Sequence, residues 1–444
     1  MSTYDQILTV RTKGLGLREP VPLSQLHDEL ARHPKPLTDR LFAWPLLALD
    51  DAAIAHNIAC LADLAAERGV LHAPHVKTPM SQQIWQRQEA AGAWATTVAT
   101  PGQMRTAIDW GARRVLLANE LLDHREICRL CETLRADPGL EVWLQVDSQA
   151  GLNALHDCGE QDTPSNLRLL VEYGVPGGRT GVRGLAHTAS LAQGVVDAHL
   201  ILGGVTGYEA PAGAGGMGSD GVADWCDRMI EVALAVGEIH ATSTALTPDV
   251  TASPMIVSAG GSFYLDVVLD RLAPAGLPSP LGNGAKLVIR SGAYVAHDNG
   301  HYARQNPLAR LDPPRELVAA ATVYAQVVST PEPGLAFLNA GRRDLAFDID
   351  LPVALWHRTK PAPGMSGPLG PLIPFEPGSI AVTDLNDQHT FLAGPATALL
   401  QPGDIVGLGI SHPCTVFDKW RIGVVTRDDA DGQPMAHDIY AFDF

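Results

Sequence analysis

The sequence predicts an α/β protein in which a (β/α)8 TIM-type barrel precedes a C-terminal β-rich domain. The first observation is an alternation of short apolar segments with helical patterns over about 220 residues, which is typical of a parallel sheet. Eight such segments suggest closure into a barrel. They lie at residues 71–76, 94–98, 114–118, 141–147, 167–172, 199–205, 255–259 and 286–290.

The second observation is a change of character after about residue 295, where prolines and glycines become dense. Strand-like runs then follow one another without long helices, at residues 321–329, 335–339, 379–382, 404–408 and 421–426. We therefore expect an N-terminal arm at 1–50 that packs with the β domain, the barrel at 51–295 and the β-rich domain at 296–444. A doubly wound open sheet is the alternative to the barrel, but no GxGxxG pattern follows the first strand.

The start of the barrel region shows the clearest helix signals. Asp50-Asp51 is a good N-terminal cap, and Gly69 is a typical C-terminal stop. Between them, apolar residues recur at helical spacing at Ile54, Ile58, Leu61 and Leu64. The apolar run 44–49, just before this helix, predicts a strand.

Composition and charge exclude several classes of protein. The 444 residues are 46% hydrophobic and 18% charged, and the net charge of -17 argues against nucleic acid or an anionic membrane surface as a partner. No run approaches the ~18 apolar residues of a membrane span, and the N-terminus lacks a signal-like apolar core. Six scattered cysteines do not suggest a disulfide framework, so we expect a reducing, cytoplasmic setting.

Lys77 is unusual because it ends the first apolar strand of the barrel. The plain interpretation is a lysine that extends its amine to the surface. The alternative is a buried amine with a lowered pKa, available for Schiff-base formation with pyridoxal 5'-phosphate. A phosphate also needs backbone N–H groups at a turn or helix start. Two glycine-containing turns after the last two strands offer such groups, with Gly260, Gly261, Ser262 and Gly292 as candidates.

The C-terminal His412-Pro413-Cys414 segment contains two metal donors on the same side of an extended chain. Thiolate and imidazole together favour Zn²⁺ over Mn²⁺ or Mg²⁺, and two ligands leave positions open for water or substrate. The alternative is a buried cysteine beside a hydrogen-bonded histidine in a loop.

Several motifs occur in the same order as in a known family. They are Pro74-His75-Val76-Lys77-Thr78, Val98-Ala99-Thr100, Leu116-Leu117-Ala118-Asn119-Glu120, Arg290-Ser291-Gly292-Ala293-Tyr294 and His412-Pro413-Cys414-Thr415 through Phe417-Asp418-Lys419-Trp420. Together they resemble the D-serine dehydratase-like/D-threonine aldolase family of fold-type III, alanine racemase-like pyridoxal phosphate enzymes. Pro79-Met80 and the long arm depart from the simplest members and resemble the bacterial branch called amino acid deaminases.

The resemblance implies a role for each matching residue. Lys77 carries the cofactor, His75 supports it, and His412 and Cys414 bind the metal. The remaining expected cofactor-binding residues are Arg179, Tyr208, Gly260, Gly261, Ser262, Arg290, Gly292 and Tyr294. His389 resembles a recurrent family histidine, although a hydrogen-bonded loop histidine is an equal alternative.

The resemblance also implies a reaction, β-elimination from a D-3-hydroxy amino acid such as D-serine to a 2-keto acid and ammonia. Lys77 would remove the Cα proton, and zinc would polarise the β-hydroxyl. The alternative is retro-aldol cleavage, as in D-threonine aldolase, to glycine and an aldehyde. Racemisation and non-catalytic cofactor binding are weaker hypotheses.

The resemblance also implies a homodimer. Whether the metal motif faces its own or the partner's cofactor, and whether residues 361–377 form a lid, stay open at this point.

Overall fold

The N-terminal segment forms short elements ahead of the barrel. The structure is a computed structural model and describes residues 6–157, 163–246, 254–282, 284–360 and 367–444. The helix α1 buries Leu23, Leu26 and Leu30 on one face. The segment comprises β1 (Ile7–Leu8), β2 (Val21–Pro22), α1 (Leu23–Arg32), β3 (Lys35–Pro36) and β4 (Leu46–Asp50).

The barrel region alternates strands and helices in the predicted way. In the first helix, the Asp50 side chain accepts the amide of Ala53 at 2.9 Å, and Gly69 ends the helix at a φ of 63°. The elements are α2 (Asp51–Arg68), β5 (Leu71–His72), α3 (Gln82–Ala90), β6 (Thr96–Val98), α4 (Pro101–Trp110), β7 (Arg114–Glu120), α5 (His124–Ala136), β8 (Glu141–Val146), α6 (Gln149–Asp157), β9 (Leu167–Glu172), α7 (Leu185–Asp197), β10 (Leu202–Thr206), α8 (Gly218–Leu246), β11 (Ile256–Ser258), α9 (Leu265–Leu272) and β12 (Lys286–Ile289).

The eight strands from β5 to β12 form one parallel sheet, which confirms the predicted (β/α)8 barrel. Their order is β5, β12, β11, β10, β9, β8, β7, β6. The barrel closes between its end strands through a bridge of His75 with Thr97. There the amide of Val76 donates to the carbonyl of Thr97, and the amide of Thr97 donates to the carbonyl of Pro74, both at 2.9 Å.

The barrel interior is layered. A layer of apolar side chains forms a floor inside the barrel, made of Ala73, Ala95, Leu116, Trp143, Leu170, Ile256 and Val288. Buried polar residues follow along the same strands, namely Gln145, Glu172, Thr206 and Ser258. Because these polar residues lie toward the C-terminal strand ends, the barrel mouth is the place for chemistry.

The C-terminal part is β-rich, as predicted. It contains α10 (His301–Gln305), β13 (Ala321–Glu332), β14 (Leu335–Leu338), β15 (Val353–Arg358), β16 (Ile373–Pro374), β17 (Ala381–Leu385), β18 (Thr390–Ala393), β19 (Ile405–Gly409), β20 (Ile422–Asp428) and β21 (Pro434–Ala441). Its long sheet has the order β16, β15, β19, β13, β4, β20, β21, β3. β4 and β3 from the arm thus lie inside or beside this sheet, and α1 packs on β21.

Three further observations concern other sequence-based expectations. No helix in the described part of the chain is long and apolar enough to cross a membrane. Cys128 is disulfide-bonded, whereas Cys60, Cys131, Cys226 and Cys414 are free thiols. Within the loop at 361–377, whose role as a lid the sequence leaves open, residues 361–366 lie outside the described residues, and β16 pairs with β15 at Trp356–Pro374 and His357–Ile373.

Candidate active site

A cavity of about 250 Å³ opens at the C-terminal mouth of the barrel. It receives side chains from the ends of most barrel strands and from the C-terminal domain. Its lining consists of His75, Lys77, Thr78, Ala99, Ala118, Asn119, Gln145, Glu172, Arg179, Thr180, Tyr208, Gly261, Ser262, Arg290, Gly292, Ala293, Tyr302 and Cys414. Nine of the predicted site residues therefore share one cavity: His75, Lys77, Arg179, Tyr208, Gly261, Ser262, Arg290, Gly292 and Cys414.

Lys77 lies in the irregular segment that follows β5, and it is half-buried at the cavity wall. His75, two residues earlier, has its Nδ1 atom 3.1 Å from the carbonyl oxygen of Thr97. Burial lowers the pKa of His75 well below its usual range, and the charges of Lys77 and Arg290 add to this effect. His75 is therefore a neutral ring whose orientation is set by β6, and it supports the segment that carries Lys77.

The turn after β11, which was predicted to bind the phosphate through its backbone amides, makes internal hydrogen bonds instead. The carboxylate of Glu209 accepts the amide of Gly261 at 2.6 Å and that of Gly260 at 3.1 Å, and Glu209 is fully buried. These two N–H groups are therefore already occupied and are not free to bind a phosphate. Gly261 still lines the cavity, but Gly260 does not. The sequence did not single out Glu209, although it directly follows Tyr208.

Free backbone donors are nevertheless present beside this turn. Within the described chain, the amides of Ser262, Gly292 and Ala293 have no hydrogen-bond acceptor, and all three residues line the cavity. Gly292 also approaches the Lys77 segment closely, because a Cβ there would lie 2.4 Å from the carbonyl oxygen of His75. Unpaired amides at a turn fit a phosphate group, so the residues present can hold the phosphate of pyridoxal phosphate.

Arg290 follows β12 and is buried beneath the cavity. Its guanidinium donates to the hydroxyls of Thr206, at 3.0 Å, and of Ser258, and to the carbonyl of Gly207 at 2.7 Å. Burial lowers the pKa of Arg290, while the carboxylates of Glu209 and Glu172 oppose this shift. The three neutral acceptors hold the arginine in one orientation at the cavity wall.

Arg179 and Tyr208 form one side of the mouth. The guanidinium of Arg179 lies over the Tyr208 ring, 4.9 Å from its centroid. Burial raises the pKa of Tyr208 to about 12, with a further contribution from Glu209, so the phenol is neutral. The loop that carries Arg179 is tied to β8, because the amide of Gly181 donates to the Asp147 carboxylate at 3.1 Å.

Four predicted residues are not among those that line the cavity, namely Gly260, Tyr294, His389 and His412. Tyr294 is in a short 3-10 turn that directs its ring beneath β5, where its hydroxyl accepts from Gln88 Nε2 at 2.9 Å and its ring contacts His72 edge-on. Tyr294 is therefore not among the residues that line this cavity, and its hydroxyl is used between α3 and the barrel. His389 is exposed in a β-hairpin turn and contributes only a backbone carbonyl, which accepts from Asn386.

The metal motif faces the cavity of its own chain. The Sγ atom of Cys414 lies 3.5 Å from the hydroxyl of Thr78, next to Lys77, and 3.9 Å from the hydroxyl of Tyr302. Burial alone would raise the pKa of Cys414, but hydrogen bonds with His412 and Thr78 lower it. Conversely, burial alone would lower the pKa of His412, but Cys414 and Asp348 raise it to about 9.

Asp348 completes the surroundings of this motif, and sequence reasoning missed it. Its Oδ2 atom lies 2.7 Å from Nδ1 of His412, and its Oδ1 atom accepts from Thr415 at 2.6 Å. A carboxylate on the outer nitrogen is the usual support of a metal-binding histidine. The described residues contain no group of three or more His, Cys, Asp or Glu side chains that could hold a metal. A thiolate–imidazole pair thus fits an open metal site with further positions for water or substrate.

The fold is shared with several solved enzymes. A D-threonine aldolase from Filomicrobium marinum superposes with a TM-score of 0.69 at 21% identity, covering 92% of this chain and 97% of that chain. A D-threo-3-hydroxyaspartate dehydratase from Delftia sp. HT23 gives a TM-score of 0.67 at 20% identity, covering 92% and 99%. An alanine racemase from Bacillus anthracis gives 0.52 at 14% identity, covering 88% and 96%. This chain therefore has the alanine racemase-like fold, as predicted.

Sequence comparison makes the assignment more specific. Residues 320–426 match the family model described as putative serine dehydratase domain, so the C-terminal part of this chain is similar to that domain. The Delftia dehydratase is 29% identical over 163 residues, which cover 36% of this chain and 42% of that protein. The resemblance predicted from the motifs is thereby confirmed, and the relatives' names agree with the prediction of an enzyme. A Cys-to-Ala variant of a D-threo-3-hydroxyaspartate dehydratase is described in a metal-free form.

Proposed function

We propose that this protein is a pyridoxal phosphate- and zinc-dependent lyase that converts a D-3-hydroxy amino acid such as D-serine into a 2-keto acid and ammonia, by β-elimination of the hydroxyl group and hydrolysis of the resulting enamine. The observation that carries the proposal is the contact of Cys414 with Thr78, beside Lys77, inside one cavity. An amine that can hold the cofactor and a thiolate that can hold a metal thus serve the same substrate. The dehydratase name of the relatives and the metal-free form of the cysteine variant support this choice.

The residues of the chain have separable tasks in this reaction. When bound, pyridoxal phosphate supplies an electron sink and the metal a Lewis acid that weakens the bond to the β-hydroxyl. Lys77 would hold the cofactor, and its amine would take up the proton from the substrate's Cα atom. The amides of Ser262, Gly292 and Ala293 bind the phosphate. The hydroxyls of Thr78 and Tyr302 lie beside the Cys414 thiol and help to orient a leaving hydroxyl.

Retro-aldol cleavage is the second candidate, because a D-threonine aldolase has the same fold over 92% of this chain. The same amine and metal pair would then act on the hydroxyl proton, and the products would be glycine and an aldehyde. Dehydration ranks first because a thiolate ligand favours zinc, a strong Lewis acid toward a leaving hydroxide. We also propose a cytoplasmic homodimer.

Product analysis on a panel of D-amino acids separates the candidates in one experiment. We expect pyruvate and ammonia from D-serine, and loss of this turnover after treatment with EDTA followed by recovery with zinc. Lys77→Ala should lose the visible absorbance of the bound cofactor, whereas the exposed control Lys286→Ala should keep it. Glycine and acetaldehyde from D-threonine, with no keto acid from D-serine, would replace the proposal with the aldolase reaction. Turnover that resists EDTA would overturn the role of the metal.

A further inference from the structure

Two glutamates at the barrel mouth have no role in the reaction described so far. Glu120 ends β7 and Glu172 ends β9, and Glu120 lies opposite Gln145 of the strand between them, β8, in the parallel register. Glu172 lines the cavity although it is only 4% exposed. The strand between them, β8, contributes Gln145, which lines the same wall. Glu172 thus belongs to the cavity wall, and both carboxyl oxygens of Glu120 are buried rather than on the outer surface.

The oxygens of this pair lack the partners that buried carboxylates normally have. Both oxygens of Glu120 and Oε2 of Glu172 are buried without a hydrogen-bond partner in the described chain. Burying an ionised carboxylate without a partner is costly. Two neighbouring carboxylates also repel each other, and this repulsion raises the pKa of one of them. A proton held between the two groups removes both problems.

The charges around the pair favour one negative charge rather than two. Asp147, at the end of β8, adds a further negative charge near Glu120. Arg290 faces Glu172 from β12, but its guanidinium donates to Thr206, Ser258 and Gly207 and forms no ion pair. Arg179 lies over Tyr208 at the mouth, and Lys77 lines the same cavity. A proton shared by the two glutamates therefore removes one negative charge from a wall that already carries the carboxylates of Glu209 and Asp147.

We propose that Glu120 and Glu172 act as a single positioning unit that holds one shared proton at the cavity wall and so permits an anionic ligand to bind there. The ligand class is the phosphorylated pyridine ring of the proposed function, on which this inference rests. Burial and the neighbouring carboxyl group of Glu172, with a further contribution from the charge of Asp147, raise the pKa of Glu120 to about 8. Loss of the shared proton above this pH places a second negative charge opposite the ligand.

The first test needs neither cofactor nor activity. Difference infrared spectra of the cofactor-free protein should show the carbonyl stretch of a protonated carboxylic acid at pH 7, and this band should disappear on titration through pH about 8. The band should be absent from the double variant Glu120→Gln/Glu172→Gln and unchanged in Glu132→Gln, which alters an exposed glutamate on α5. No band in the wild type, or a band that persists in the double variant, would overturn the shared proton.

The second test uses pyridoxine 5'-phosphate, which lacks the aldehyde and cannot react with Lys77. Calorimetry should show that its affinity for the wild-type protein falls by up to about tenfold per pH unit above pH about 8. Glu120→Gln cannot lose the shared proton, so its affinity should change less over the same range. Equal slopes in the two proteins would overturn the positioning role. Neither test depends on which amino acid is the substrate, so failure of the dehydratase proposal would be recognised separately.

Discussion

At the scale of single residues, Asp348 is expected to control the affinity for the metal. Its carboxylate is 2.7 Å from Nδ1 of His412 and thus holds the imidazole ring in one orientation, with Nε2 left for a metal. Asp348→Asn should weaken zinc binding about 10- to 100-fold, because the amide orients the imidazole less firmly and lowers its basicity. Competition with a chromogenic chelator measures this affinity directly. Asp350→Asn is the matched control, since Asp350 pairs with Arg304 instead. Equal zinc affinity in the two variants would contradict the role of Asp348.

The same scale shows what a sequence pattern can predict. Lys77 and Cys414 are 337 positions apart and yet line one cavity, which the paired motifs anticipated. Glu209 could not be found in this way, because only the folded chain brings its carboxylate to the amides of Gly260 and Gly261. Glu120 stood in a quoted motif, but its proximity to Glu172 depends on the barrel register. The sequence signal that could have identified this pair was a glutamate at the C-terminal end of each of two barrel strands, β7 and β9.

At the scale of elements, the turn after β12 should tolerate no side chain at position 292. A Cβ on Gly292 would lie 2.4 Å from the carbonyl oxygen and 2.8 Å from the Cβ of His75, so the turn or the Lys77 segment must move. Gly292→Ala should therefore weaken pyridoxal phosphate binding at least about tenfold, which corresponds to about 1.4 kcal/mol.

An absorbance titration of the cofactor-free protein measures this affinity. Gly237→Ala is the control, because Gly237 lies within α8 and a Cβ there would meet only Met255 at 3.7 Å. This control should keep full affinity and gain slight stability from the better helix former. Unchanged affinity in Gly292→Ala would show that the turn has room to adjust.

The elements themselves differed in how well the sequence predicted them. The eight barrel strands were recognisable because each is a short apolar run between helical patterns. β15 and β21 were missed, since Val353–Arg358 contains buried His357 and Arg358 and Pro434–Ala441 alternates only weakly. The parallel pairing of β4 with β20 joins segments about 370 residues apart, which no local pattern encodes.

At the scale of the whole molecule, the two domains assemble the cavity jointly. Lys77 comes from the barrel and Cys414 from the domain beyond it, so their relative placement decides whether amine and thiolate meet. The arm strengthens this placement, because β4 enters the C-terminal sheet between β13 and β20 and leads directly into α2. Lys13 of the arm pairs with buried Asp344 at 2.7 Å and lies over the ring of Trp420. Sequence composition identified the arm but not these contacts.

Asp51 provides a pH-dependent link between the domains. It accepts from Arg87 of α3 at 2.8 Å and from Arg427 of β20 at 2.6 Å. Burial alone would raise the pKa of Asp51, but the hydrogen bond from Arg427 and the charges of Arg87 and Arg427 lower it below its ordinary value. A lowered pKa in the folded state means that the stabilisation is complete above the unfolded pKa, ~3.9, and is lost as the pH falls through the folded pKa.

Asp51→Asn should therefore destabilise the protein by about 1–2 kcal/mol near neutral pH, because two arginines lose their counter-charge. This corresponds to roughly 1–3 °C in the thermal midpoint of so long a chain. The difference between wild type and variant should be constant from pH 5 to 7 and shrink below pH ~4, as wild-type Asp51 itself becomes protonated. Asp63→Asn, an exposed change on the same helix α2, should match the wild type at every pH. A difference that grows on acidification would show that the link does not depend on the ionised carboxylate.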